Sequence, residues 1–158
     1  MKNDWVVAAR ILHVVAIVVW IGGIGAVTTV MFPTMRRLES NEQKVWMFRQ
    51  IENRFRPQAR IAWLIVGLSG VFMLFALNAW VRFAEPRYWW MQAMVALWVL
   101  FGLMLFIIEP LVVGPRMEQM LTRDPARALI RMERMHWVLL ILSLLVIAAV
   151  VGGVYGWL

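Results

Sequence analysis

The sequence predicts an all-α protein, an integral membrane antiparallel four-helix bundle. Three observations predict it. Of the 158 residues, 63% are hydrophobic; four apolar stretches are each long enough to cross hydrocarbon; and the basic residues gather in two of the three connections. A soluble domain this small could not hide so much apolar surface. A spanning helix needs about 20 mostly apolar residues, because only a continuous helix pairs every backbone N–H and C=O inside lipid. The predicted spans cover about 5–32, 61–83, 89–113 and 136–158, and they form one transmembrane domain over 1–158.

The first span is too long for the apolar region of a secretory signal, and no small-residue cleavage site follows at Met31 to Arg36, so it is expected to stay in the mature protein. The connection after it carries Arg36, Arg37, Lys44, Arg49, Arg54, Arg56 and Arg60, and the connection between spans three and four carries Arg116, Arg123, Arg127, Arg131 and Arg134. Cytoplasmic loops are enriched in Lys and Arg, which puts both of these inside and both chain termini outside. The net charge of +7 is thus explained by topology, and no nucleic-acid partner is expected; the expected partner is the lipid bilayer. The absence of cysteine excludes disulfides, thiolate metal sites and cysteine nucleophiles.

In the first long connection Leu38, Val45, Phe48 and Ile51 recur at roughly helical spacing among charges. This predicts a helix over about 37–56, either lying along the inner membrane surface or simply joining spans. In the second, Asp124 can cap and Pro125 can occupy the first turn of a helix over about 125–135 that enters the bilayer near His136. Ala128, Leu129, Met132, Met135 and His136 share one of its faces. The outer connection is a short turn at Ala84-Glu85-Pro86, flanked by Trp80, Tyr88, Trp89 and Trp90, whose rings suit the headgroup boundary. Small residues mark places of close helix approach: Gly22, Gly23 and Gly25, then Gly67 and Gly70, then Gly102, then Ala148, Gly152 and Gly156 at four-residue spacing. The last set could pack inside the bundle, or join a homodimer or a larger membrane complex.

Ionisable groups within spans are costly and therefore candidates for function. These are Arg10, His13, Glu109 and His136. Ala16, Trp20 and Gly23 continue the stripe of Arg10 and His13, a setting that suits haem: imidazole to iron, small residues against the macrocycle, guanidinium to propionate. A histidine hydrogen-bonded to a neighbouring helix would look the same in sequence. His136 stands beside Met132 and Met135, with Met117 and Met120 on the same connection, and thioether plus imidazole suits Cu(I); methionine is equally a filler of apolar gaps. His13 and His136 should lie roughly 20 Å apart in depth, from a rise of about 1.5 Å per residue, so they would not share one metal. Glu109 is expected to pair with Arg54, Arg56 or Arg60, or to relay protons with His136, and Pro110 to loosen the helix behind it. No Walker, dinucleotide or nucleophile-elbow motif is present, which argues against hydrolysis and nucleotide-driven transport.

The run Arg10-Ile-Leu-His13-Val-Val-Ala-Ile-Val-Val-Trp20-Ile-Gly22-Gly23 resembles the opening helix of the copper-resistance D (CopD) membrane family and the related HemJ-type protoporphyrinogen oxidases. Arg54-Phe-Arg56-Pro-Gln-Ala-Arg60, leading to Gly70, is similar to the family's entry into its second span. The resemblance implies a bacterial inner-membrane protein that binds haem b, passes electrons or handles copper. The third span has no histidine and the fourth begins Arg131-Met-Glu133-Arg134-Met-His136, where HemJ-type enzymes carry further histidines and an asparagine-glutamate pair; oxidation of protoporphyrinogen is not implied. The expected function is haem b binding and electron transfer, with copper handling or a non-catalytic accessory role in a larger complex as alternatives.

Overall fold

The computed structural model describes residues 2–157. It is helical throughout, and no strand occurs among the described residues. α1 (Lys2–Ala26) passes through a π-helical turn (Val27–Met31) into α2 (Phe32–Arg36); α3 is Asn41–Ala76; two 3-10 turns (Ala79–Ala84 and Pro86–Tyr88) lead to α4 (Trp89–Leu103). A π-helical segment (Met104–Val113) then runs into α5 (Gly114–Arg123), and α6 is Pro125–Val154.

Four continuous helical rods, Asp4–Arg36, Asn41–Ala76, Pro86–Val112 and Pro125–Val154, are long and apolar enough to cross a membrane. Their apolar surface faces outward: only 33, 22, 17 and 11% of the most hydropathic window of each is buried. Val18, Leu68, Phe75, Val138 and Leu145 are all more than half exposed. A water-soluble bundle would turn these residues inward, so the chain is a multi-pass membrane protein.

The helix boundaries differ from the sequence expectation within the second span and at the ends of the second and fourth. The helix expected over 37–56 is not a separate surface element. It begins at Asn41, where Ser40 caps it by accepting the Gln43 N–H, and runs unbroken through Pro57 into the span. Proline withholds only the bond to the Asn53 carbonyl, no second proline follows before Ala76, and Gly67 and Gly70 lie within the helix without ending it. The span expected to reach residue 83 ends instead at Ala76, because Asn78 takes the left-handed conformation (φ 49°) that closes a helix C-terminus. The fourth helix starts at Pro125, capped by the Asp124 carboxylate on the Arg127 N–H (3.0 Å).

It ends in a Schellman motif. The Trp157 N–H reaches the Gly152 carbonyl and the Gly156 N–H reaches the Gly153 carbonyl, with Gly156 at φ 73°. Gly156 therefore lies off the helix, and the four-residue face Ala148-Gly152-Gly156 stops at Gly152. The glycine under a neighbouring helix is Gly153, where a methyl would overlap the Trp90 indole. Leu158 and Met1, the ends of the expected domain, lie outside the described residues.

Two apolar clusters hold the bundle. At mid-depth Ala16, Trp20 and Ile24 of α1 meet Ala59, Ala62 and Val66 of α3, with Phe101 and Leu140 closing the far side. At the basic end Phe32, Met35, Phe48, Leu121, Leu129 and Met132 form the second.

α3 and α4 are joined by a reciprocal tryptophan clasp. Trp63 Nε1–H donates to the Trp98 carbonyl (2.8 Å), Trp98 Nε1–H donates to the Trp63 carbonyl (3.1 Å), and the indoles stack at 4.2 Å and 5°. Each ring lies where a side chain on the opposite helix would be: Trp98 over Gly67, Trp63 over Gly102. The signal was present twice in the sequence, as tryptophan followed by glycine four residues on.

Candidate functional site

A cavity of about 670 Å³ opens at the basic end, lined by all four helical rods together with α5. Ligand pockets fall in the range of about 300–1,000 Å³. Its walls are largely aromatic and thioether: Trp20, Phe32, Phe48, Phe55 and Phe101, with Met117, Met132 and Met135. Into it come Arg49, Glu52, Arg56, Glu109, Glu118 and His136.

The carboxylates and guanidiniums are paired with one another. Arg56 Nη2 bridges Glu52 (2.7 Å) and Glu109 (2.5 Å), and Arg60 stands 3.7 Å from the other Glu109 oxygen. Arg49 pairs with Glu118 across the mouth. Glu52, Arg56 and Arg60 face Glu109 together because they lie four residues apart on one face of α3.

The π segment explains how Glu109 is presented. In that register the amide of residue 110 would donate to the Leu105 carbonyl. Pro110 has no N–H, and Arg60 Nη2 donates to that carbonyl instead (3.1 Å), with its guanidinium 5.5 Å over the Phe106 ring. Glu109 Oε2 and Arg60 Nε are buried without a hydrogen bond.

The His136 ring is oriented by its own backbone. Its Nδ1 lies 2.9 Å from the Met132 carbonyl. A carbonyl only accepts, so Nδ1 carries the proton and Nε2 of the neutral ring keeps its lone pair. Phe32 packs edge-on against the ring at 5.1 Å, which fixes its plane.

His13 has a different setting. Its Nδ1 is 2.9 Å from Ser69 Oγ, and that hydroxyl spends its own proton on the Ile65 carbonyl (2.5 Å). Ser69 therefore accepts from His13 Nδ1–H, and the imidazole lies against Gly70 of α3. This is the interhelical hydrogen bond that the sequence left open beside the haem setting.

The stripe of Arg10, His13, Trp20 and Gly23 is not gathered about one space. Arg10 is exposed on the outward face of α1, beside Val7, Ile11 and Val14; Gly23 receives the Phe55 ring; Trp20 lines the basic-end cavity and meets Phe101 edge-on at 4.7 Å. The cavity instead brings Trp20 together with the expected copper donors His136, Met132, Met135 and Met117 and with the expected ion pair Glu109 and Arg56. Met120 stays outside it, its sulfur near Arg131 (3.9 Å). No group of three or more His, Cys, Asp or Glu side chains able to hold a metal ion occurs among the described residues.

The residues present fit a haem at its metal and macrocycle ends. One imidazole lone pair, apolar flat walls and a suitable volume converge. The guanidiniums are already engaged, but the Arg49–Glu118 pair is about half exposed on both sides, and exposed pairs contribute only about 0–1 kcal/mol, so Arg49 is free to exchange partners. The chain matches no family model, no curated protein and no solved structure.

Proposed function

We propose that this multi-pass membrane protein binds haem b in the basic-end cavity and serves electron transfer, with His136 rather than His13 as the residue that faces the iron. One observation carries the reading: the Nδ1–H of His136 is committed to the Met132 carbonyl, leaving Nε2 as the donor atom in an aromatic-walled cavity. Trp20, Phe32 and Phe101 would flank the macrocycle, and Arg49 would hold an acidic substituent at the mouth. A bound haem supplies one-electron chemistry. The chain's own part is to fix the imidazole, exclude water with the aromatic walls and compensate charge through Arg56, Arg60 and Glu109. The resemblance of the first helix to the CopD and HemJ families supports the same cofactor class and a bacterial inner membrane, and the basic residues of the two long connections support both termini outside.

Protein expressed with ample haem and purified is expected to show a Soret band that His136→Ala abolishes and His13→Ala leaves in place. Loss with His13→Ala alone would move the site to α1, and no band in the parent protein would remove haem altogether.

A copper reading has one observation of its own, that Met117, Met132 and Met135 line the same cavity as His136, a donor set suited to Cu(I). Cu(I) affinity unchanged in Met132→Leu and Met135→Leu would eliminate it.

A further inference from the structure

The opposite end of the bundle carries a second concentration of charge and aromatic surface that the cavity does not use. The two 3-10 turns between α3 and α4 present Arg82 and Arg87 to the same ring: their guanidinium carbons lie 5.5 and 4.7 Å from the Tyr88 centroid. Both distances are within the range of about 6 Å for cation–π attraction. Arg87 is also paired with Glu85 (2.8 Å). Among the described residues Arg82 has no carboxylate partner, so this connection keeps one uncompensated positive charge.

The platform is ordered. Gln92 Nε2 donates to the Phe83 carbonyl (2.8 Å), Tyr88 meets the Trp90 ring edge-on at 6.0 Å, and Trp90 is buried over Gly153 of α6. In the first of the two turns, two residues before Arg82, Trp80 stands edge-on against Phe75 at 5.1 Å. From Phe75 an exposed apolar strip descends α3 through Phe72 and Leu68 to Leu64, all at least 45% exposed.

From end to end this is the profile of a phospholipid. Cations sit where a phosphate would lie, amphipathic rings sit at the boundary, and an uncovered aliphatic and aromatic strip runs where an acyl chain would follow. We infer that the α3–α4 connection is a binding site for an anionic phospholipid, with Arg82 and Arg87 holding the headgroup phosphate and the Phe75–Phe72–Leu68 strip receiving a chain. The surplus positive charge selects an anionic headgroup over a zwitterionic one, because a zwitterion brings its own cation to Arg82.

The test uses the full chain, delipidated in a neutral detergent, with phosphatidylglycerol, phosphatidylcholine or inorganic phosphate added separately. Retained lipid is counted by native mass spectrometry and thermal unfolding is followed in parallel. Phosphatidylglycerol is expected to be retained and to raise the unfolding temperature more than phosphatidylcholine. Arg82→Gln is expected to weaken its retention about fivefold, in line with the usual contribution of one basic residue at an anionic surface. Arg82→Lys, which keeps the charge, is expected to retain the preference. Equal retention of the two lipids overturns the inference, as does wild-type retention by Arg82→Gln. Stabilisation by inorganic phosphate equal to that by phosphatidylglycerol would assign the site to a free anion and overturn it as well.

Discussion

Replacing Gly67 by alanine should unlock the α3–α4 clasp. A methyl at residue 67 would overlap the Trp98 indole, and that ring has no free direction. It is stacked on Trp63 at 4.2 Å and tied by its Nε1–H to the Trp63 carbonyl. Overpacking of a tight site costs about 1–3 kcal/mol, and a displaced interhelical hydrogen bond in a membrane protein adds about 0.6 kcal/mol. The expected loss is about 2–4 kcal/mol, which lowers the folded-to-unfolded ratio by more than tenfold, since about 1.4 kcal/mol is a factor of ten.

The structure supplies its own controls. Gly22 has nothing within 4 Å of an added Cβ, so Gly22→Ala should be neutral or stabilising by up to about 1 kcal/mol through helix propensity. Gly102→Ala should match Gly67→Ala, because Trp63 covers Gly102 as Trp98 covers Gly67. The double variant should cost less than the two losses added, since both displace one stacked pair. Reversible unfolding in mixed micelles, followed by far-ultraviolet circular dichroism, measures all four. A Gly67→Ala protein as stable as Gly22→Ala would refute the clasp.

Glu109→Gln should destabilise by about 1–3 kcal/mol, less than the 3–5 kcal/mol of a fully buried pair, because Arg56 and Arg60 are each 36% exposed; an unfolding midpoint equal to the parent's would show that the bridging carboxylate contributes nothing. Asp124→Ala removes the oxygen that caps α6 and should cost about 1 kcal/mol; thermal unfolding checks this, and Asp124→Asn should recover most of the loss.

Much of the architecture is legible in residue order because the bilayer imposes it. Apolar runs long enough to cross hydrocarbon must be helices, whatever their neighbours, and four such runs make a multi-pass bundle. Local signals were sufficient for the start of α6 as well, since Asp124 and Pro125 act within one turn of themselves. The helix expected over 37–56 forms from Asn41 but as part of the span, because charge and periodicity report a helix without reporting its axis. Only the absence of a stop between Ser40 and Ala76 makes it one rod with the span.

The candidate site was legible in parts but not as a whole. His136 with Met132 and Met135 reads as one imidazole–thioether group and Glu109 as a partner of Arg56, while Trp20 reads with His13 on the first helix. Sequence separation kept these groups apart, and only the packing of all four rods and α5 around one cavity brings them together. The choice between the two histidines is likewise a tertiary matter. Both have Nδ1 engaged, one by a serine on another helix and the other by its own backbone. Which of them keeps a lone pair beside open space depends on what neighbouring helices place around it, and no local sequence pattern encodes that.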